Sequence, residues 1–143
     1  MDRKPVLEIK IDFNGKPVHL EGENGSVVMI PFAGSVDCPL FHGIVEPCGV
    51  DTQVANAAHV RHMSARYMLT GKDSEGCDAH IYVENNGWFD DSPGKPPVMP
   101  FRTVPTFYTD SKALAPYLHR NQFTGEGSVE NGQLWIRFYE IEH

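Results

Sequence analysis

Apolar and polar residues alternate with a period of two over much of this chain, and this pattern restricts its fold more than any other feature. The alternation is clearest in 6–13 (VLEIKIDF), 59–71 (HVRHMSARYMLTG) and 80–89 (HIYVENNGWF). Successive side chains of a β-strand point to opposite faces, so this period predicts strands. The one helical candidate is 110–121, capped by Asp110 or Ser111, and its proline limits it to a turn or two.

The segments between turn signals predict roughly eight to ten short strands, because strand-forming runs recur with glycine, proline or asparagine between them. The turn at 14–16 (NGK) predicts a hairpin, 59–71 and 80–89 predict a second one, and 130–132 (ENG) marks a third. No strand–helix–strand rhythm occurs, which indicates an all-β chain. We expect a single antiparallel β-barrel with one short helix as the only domain, because closure removes exposed strand edges.

Charge and composition exclude several classes of partner. The 143 residues include 12 Lys and Arg against 19 Asp and Glu, a net charge of −7, with no basic cluster. We therefore expect no nucleic acid and no membrane partner. No apolar run approaches the ~20 residues of a membrane span, and MDRKPVLEIKIDF predicts a first strand rather than a signal peptide. The odd, sparse set Cys38, Cys48 and Cys77 favours the reducing cytoplasm over a disulfide framework.

Recognised catalytic and cofactor motifs are absent from the sequence. His59 and His62 are three residues apart, which on a strand places them on opposite faces, and no His or Cys spacing fits a zinc site. No nucleophile elbow, P-loop or dinucleotide fingerprint occurs. We expect no metal and no cofactor.

Polar side chains on the predicted 59–89 hairpin suggest a site. Arg66 aligns with Tyr82 and Glu84 if the two strands pair, which gives one face a base, a phenol and an acid. That face is either the wet side of a half-buried sheet or the lining of a barrel. Inside a barrel Arg66 would need a carboxylate partner, either Asp51 or Glu84. Alternation alone does not decide which face is inside.

Four blocks of the sequence resemble a known family. They are FHGIVEPCGVDTQ, ARYMLTGKDSEGCDAHIYVENNG, PFRTVPTFYT and YLHRNQFTGEGSVENGQLWIRFYEI. In this order they resemble the domain of unknown function 3237 family (uncharacterised protein family 0311) of small bacterial and fungal proteins, over roughly residues 6–141. The resemblance implies a compact antiparallel barrel of calycin-like shape, with no settled activity and no known cofactor.

The resemblance also directs attention to particular residues. Asp51 and Gln53 match a Gly-Gly-Asp-Trp-Gln-like segment of the family, although Cys48 and Thr52 depart from it and Val50 is inserted. Ala65, Arg66 and Tyr67 match its Ala-Arg-Tyr block. The resemblance therefore implies that Asp51, Gln53 and Arg66 matter, without saying why.

We predict a small-molecule pocket near Asp51, Gln53, Arg66 and Tyr82. Asp51 would act as general acid or base, and Arg66 and Tyr82 would stabilise a developing enolate. This chemistry suits a lyase, cyclase or isomerase acting on a small carbonyl or aromatic compound. The further ligand contacts that we predict are Gln53, His62, Glu84, Thr103, Phe41, Trp88, Phe101 and Phe107. Core packing is the alternative role for the aromatic residues among them.

Two non-catalytic alternatives stay open. A lipocalin-like ligand binder would use the same residues without turnover. A homodimeric interaction module would instead pair through an exposed apolar face such as Met63, Tyr67 and Leu69. The proline-rich segment 90–100 is the candidate lid of a pocket.

Overall fold

The computed structural model describes residues 3–141, which form nine strands and one short helix. In chain order the elements are β1 (Leu7–Phe13), β2 (Val18–Gly22), β3 (Gly25–Cys38), β4 (Phe41–Asn56), β5 (Val60–Asp73), β6 (Asp78–Asp90), β7 (Phe101–Thr109), α1 (Ala115–Leu118), β8 (Phe123–Glu130) and β9 (Gln133–Glu140). The predicted all-β class and the predicted number of strands are confirmed.

Eight of these strands close into an antiparallel barrel. Each strand from β3 to β9 pairs with the next along the chain, β9 pairs with β1, and β1 pairs with β3 to complete the circle. Strand β2 lies outside this circle and pairs with β3 alone among the described strands. The predicted closed barrel is therefore confirmed, and closure leaves its eight strands without an exposed edge.

The first predicted hairpin is wrong. β1 and β2 do not pair with each other, because both occupy the same edge of the long strand β3. Residues 25–29 of β3 pair with β2, and residues 32–36 pair with β1. The other two predicted hairpins, β5–β6 and β8–β9, are confirmed. Asn131 and Gly132 form the turn of the β8–β9 hairpin. Their φ values are 54° and 77°, and a tight two-residue hairpin turn requires such positive values.

The short helix packs against one end of the barrel core. It covers Ala115–Leu118, and its N-cap residue, Leu114, makes no side-chain capping bond. Of the two predicted caps, Ser111 accepts a hydrogen bond on its Oγ from the Leu114 N–H at 3.1 Å, in the turn that leads into the helix, whereas Asp110 contacts His80 instead. Leu114 and Leu118 are both buried, at 3% and 0% exposure. The helix therefore contributes apolar side chains to the core rather than a polar terminus to a site.

The barrel interior is divided into a packed half and an open half. The packed half lies toward α1 and contains fully or nearly fully buried apolar side chains: Leu7, Ile9, Val36, Phe41, Val45, Leu69, Ile81, Val83, Phe107, Leu114, Leu118, Phe123 and Phe138. Within residues 3–141, no helix combines the length and apolar character needed to cross a bilayer.

Candidate functional site

The open half of the barrel contains a cavity of about 710 Å³. Such a volume lies in the range that small-molecule sites occupy. Strands β1, β3 to β7 and β9 supply its walls, and residues 95–100 of the loop between β6 and β7 line it from the mouth. Most of the lining is apolar, including Phe13, Ile30, Phe32, Met63, Leu134 and Ile136. The cavity can therefore take a mainly apolar molecule.

Strand register decides which polar side chains reach this cavity. Asp51 pairs with Ala65 and Gln53 pairs with Met63 across β4 and β5. Because paired residues lie on the same face of a sheet, all four share the inner face and line the cavity. The inner face of β5 is thus the one that carries Met63, Ala65 and Tyr67.

Asp51 is a carboxyl group in largely apolar surroundings. Gln53 Nε2 donates a hydrogen bond to Asp51 Oδ2 at 2.8 Å. Burial raises the pKa of Asp51 above its ordinary value of 3.8, and the hydrogen bond from Gln53 opposes part of that rise. Its second oxygen, Oδ1, is buried and has no hydrogen-bond partner among the described residues. One oxygen of the carboxyl is therefore held by Gln53, and the other is left unsatisfied by residues 3–141.

Two more cavity residues, Tyr67 and Asn85, also carry a buried oxygen without a partner in the described part of the chain. These atoms are the Tyr67 hydroxyl and Asn85 Oδ1. Asp51 and Asn85 pair with Ala65 from its two sides, and Tyr67 follows Ala65 by two residues on the same face. We call Asp51, Tyr67 and Asn85 the oxygen cluster.

Arg61 connects the wall of the cavity to the loop at its mouth. Its Nη1 donates to Gln53 Oε1 at 3.2 Å, and its Nη2 lies 3.3 Å from Asp91 Oδ2. Asp91 opens the loop that was predicted as a lid, and its backbone N–H donates to the carbonyl of His59 at 2.7 Å. Hydrogen bonds therefore run from Asp51 through Gln53 and Arg61 to the loop.

Four predicted site residues line the cavity. Asp51 and Gln53 form part of its polar wall, and Phe101 is in the lining nearer the mouth. Trp88 also contributes to the lining, although its ring is stacked on His62 on the outer face and is 61% exposed. The loop 90–100 also contributes to the lining. The chemical role predicted for Asp51 and the contacts predicted for the other three remain predictions.

The predicted meeting of Asp51 with Arg66 is wrong. Arg66 pairs in register with Val50, so it lies on the outer face of β5 while Asp51 lies on the inner face of β4. Arg66 does meet Glu84, as the hairpin predicted, with Nη2 to Oε1 at 3.0 Å. That ion pair is on the outside, where the Arg66 side chain is 66% exposed.

Tyr82 and His62 also lie on the outer face rather than in the cavity. Tyr82 pairs in register with Met68 and Tyr108, whose side chains are exposed. His62 stacks on Trp88 with ring centroids 4.5 Å apart and lies within 3.0 Å of Asn86 Oδ1. Neither position can stabilise an enolate inside the barrel.

The remaining predicted contacts are buried away from the cavity. Phe41 and Phe107 belong to the packed half, which is the alternative considered for the aromatic residues. Thr103 is 2% exposed and does not line the cavity. The face proposed for a homodimer is wrong as well, because Met63, Tyr67 and Leu69 are 7%, 4% and 0% exposed inside the barrel.

The sequence analysis missed Arg61, Tyr67 and Asn85. Asn85 had a detectable signal, because it follows Ile81 and Val83 at alternate positions and is the one polar residue in that series. A polar side chain on a buried face needs a partner or a ligand. Among residues 3–141, no group of three His, Cys, Asp or Glu side chains converges as metal ligands would.

Comparison with known proteins places the chain in a family without assigning an activity. The model of the family described as "Protein of unknown function (DUF3237)" matches residues 2–141. A comparison with curated proteins gives no match.

Solved structures show the same fold. A protein of unknown function from Clostridium acetobutylicum ATCC 824 is 30% identical, with a TM-score of 0.76 over 99% of this chain and 97% of that one. A protein of unknown function from Rhodopseudomonas palustris is 25% identical, with a TM-score of 0.73 over 97% and 96% of the two chains. A beta-barrel like protein from Acinetobacter baumannii AYE is similar in fold at 21% identity, with a TM-score of 0.74 over 99% and 96%. With its sequence matched over almost its full length, this chain belongs to the DUF3237 family of proteins of unknown function.

Proposed function

We propose that this protein binds a small, mainly apolar organic molecule in the open half of its barrel. The observation that carries the proposal is a cavity of about 710 Å³ with a largely apolar wall and Asp51 set into it. Packed cores rarely leave voids larger than a water molecule, so a space of this size inside a closed barrel needs an explanation. Barrels of about eight strands elsewhere use such a space to hold one ligand.

A neutral apolar dye, N-phenylnaphthylamine, tests this proposal. Its fluorescence rises in apolar surroundings, so binding should give a saturable increase with one dye per chain. Ala65→Phe places a ring between Asp51 and Asn85 and should abolish the increase. Val54→Phe adds the same ring on the outer face of β4, where Val54 is 39% exposed, and should leave binding intact.

Equal binding by wild type and both variants would place the dye on the outer surface and overturn the proposal. No saturable binding by wild type would also overturn it. Thermal unfolding of each variant shows that it is folded, and Ala65→Leu replaces Ala65→Phe if the larger ring prevents folding.

A second candidate function is acid–base catalysis in the same cavity. Burial raises the pKa of Asp51, Gln53 fixes one of its oxygens, and the other oxygen has no partner within the described residues. A carboxyl acts best as a general acid or base when its pKa lies near the working pH. Asp51 would remove a proton beside the carbonyl group of a bound ketone and return it at another position, as an isomerase does. The Tyr67 hydroxyl, buried in the same wall, would take the enolate-stabilising role first predicted for Tyr82.

Deuterium incorporation into β-tetralone measures this activity directly. Wild type in heavy water should speed exchange of the protons beside its carbonyl, as followed by NMR. Asp51→Asn should lose the acceleration while still binding N-phenylnaphthylamine. Exchange that is no faster with wild type than in buffer alone would leave only the binding role for the cavity.

Location in the reducing cytoplasm also remains a proposal. It is supported by Cys38, Cys48 and Cys77, which are all free thiols in the structure. Fractionation of the source cells, followed by immunoblotting, would test it.

A further inference from the structure

Every member of the oxygen cluster is either a hydrogen-bond acceptor or a hydroxyl. An ionised Asp51 carboxylate can only accept hydrogen bonds, Asn85 Oδ1 can only accept, and the Tyr67 hydroxyl both accepts and donates. All three atoms are buried and unpartnered among the described residues, and Tyr67 and Asn85 are only 4% and 1% exposed. Buried polar atoms are normally satisfied, so three together in one cavity wall call for a ligand group that can satisfy them.

The three side chains are close enough to act on one molecule. Asp51 and Asn85 lie on either side of Ala65, so their Cα atoms are separated by two strand spacings, about 10 Å. Tyr67 is two residues from Ala65 on the same face, about 7 Å along the strand. A compound with one or two polar groups on a ring system can span these distances while its body fills the apolar wall.

The charges around the cavity do not favour an anion. Arg61 is already paired with Asp91, and Lys95 with Asp90 at 2.7 Å. Among residues 3–141, Asp51 has no ion-pair partner. Arg102 also belongs to the lining and is exposed to solvent. A carboxylate reaching the three unpartnered oxygens would face two acceptors, the Asp51 carboxylate and Asn85 Oδ1, and a single donor among these atoms, the Tyr67 hydroxyl.

We propose that the ligand of this cavity is a ring compound that carries hydroxyl or N–H donors, neutral or cationic, and not a carboxylate. This inference rests on the proposed binding function and adds the chemical class of the ligand. The donors would reach Asp51 Oδ1 and Asn85 Oδ1, the Tyr67 hydroxyl would complete the contacts, and Gln53 would keep the Asp51 carboxyl in place.

Three compounds with the same two rings test the inference by calorimetric titration: para-phenylphenol, biphenyl and biphenyl-para-carboxylate. The phenol should bind on the order of tenfold more tightly than biphenyl. Its hydroxyl can donate a hydrogen bond to the charged Asp51 carboxylate, whereas biphenyl leaves that acceptor without a partner. The carboxylate should bind more weakly than both. Asp51→Leu should remove the preference for the phenol, whereas Glu84→Gln, on the outer face, should keep it.

The outcomes separate this inference from the function on which it rests. If the three compounds bind wild type equally and none of them binds Ala65→Phe, the proposed ligand class is wrong but binding in the cavity stands. Tightest binding of the carboxylate would overturn it in the same way. Failure of all three compounds to bind would overturn the binding function and the inference together.

Discussion

Gln53 Nε2 donates a 2.8 Å hydrogen bond to Asp51 Oδ2 from the next inward position of the same strand, while Asp51 Oδ1 has no partner within residues 3–141. One oxygen of the carboxyl is therefore fixed and the other is unsatisfied. An unsatisfied buried polar atom costs folding free energy, so natural proteins tend to keep one where a ligand or reaction uses it. Stability and function should therefore respond in opposite directions to changes at Asp51.

The stability of the protein should rise at neutral pH when Asp51 is replaced by Asn. Because the pKa of Asp51 is raised above 3.8, the folded protein holds this proton more tightly than the unfolded chain. The stability that this tighter proton binding provides is complete below pH 3.8 and is lost as the pH rises through the pKa of Asp51 in the folded protein. Asp51→Asn should be more stable than wild type by on the order of 1 kcal/mol at neutral pH.

Urea unfolding at neutral and acidic pH measures this difference. The advantage of Asp51→Asn should shrink as the pH falls toward 3.8. A difference that stays constant with pH would show that Asp51 does not titrate differently in the folded and unfolded states.

Tyr67→Phe and Tyr117→Phe should shift stability in opposite directions. The Tyr67 hydroxyl is buried and has no partner in the part of the chain that the structure describes, so its removal should stabilise the protein by up to about 1–3 kcal/mol. The Tyr117 hydroxyl donates to Glu140, so its removal should cost about 0.5–1.5 kcal/mol. Chemical denaturation of both variants compares them, and a matching loss of stability in Tyr67→Phe would mean that its hydroxyl has a partner.

Arg61→Ala should loosen the loop over the cavity, whereas Arg66→Ala should not. The Arg61 guanidinium joins Gln53 on the wall to Asp91 at the start of the loop. Its removal should raise amide hydrogen exchange in 91–100, as measured by mass spectrometry. Arg66 carries an exposed ion pair with Glu84, so Arg66→Ala should change stability by no more than about 1 kcal/mol and leave exchange in this loop unchanged. Equal exchange in both variants would mean that other contacts hold the loop.

Gly127→Ala should destabilise the barrel and alter the cavity. A Cβ atom at Gly127 would lie 1.9 Å from Phe101 Cζ, so the ring that lines the cavity would have to move. Overpacking of this kind costs about 1–3 kcal/mol. Gly22→Ala is the matched control, because nothing lies within 4 Å of its added Cβ. Urea unfolding tests the pair, and an equal change in both variants would show that Phe101 adapts without cost.

Local pattern was sufficient for most of the strands. Strand β1 covers Leu7–Phe13, within the predicted 6–13, and the β5–β6 and β8–β9 hairpins form as their turns indicated. The register of β5 with β6 also brings Arg66 opposite Glu84 as predicted. These features depend on neighbours along the chain, so a single sequence contains the information for them.

The site was predicted less well, because alternation does not distinguish the two faces of a strand. Arg66 and Tyr67 are adjacent in the sequence and both match the family block, yet one is outside and the other inside. The pairing of β1 with β3, rather than with β2, closes the barrel and makes the Tyr67 face its interior. That contact joins segments far apart in the chain, so no local pattern reports it.

The sequence by itself determined the all-β class, the positions of most strands and the proline-rich loop, and it singled out Asp51 and Gln53, which both line the cavity. The tertiary structure decided which side chains meet. It turned Asp51, Tyr67 and Asn85 inward around Ala65, and it left Arg66, Tyr82 and Glu84 outside. The physical reason is that strand period sets only an alternation, whereas closure of the barrel sets which half of that alternation loses contact with water.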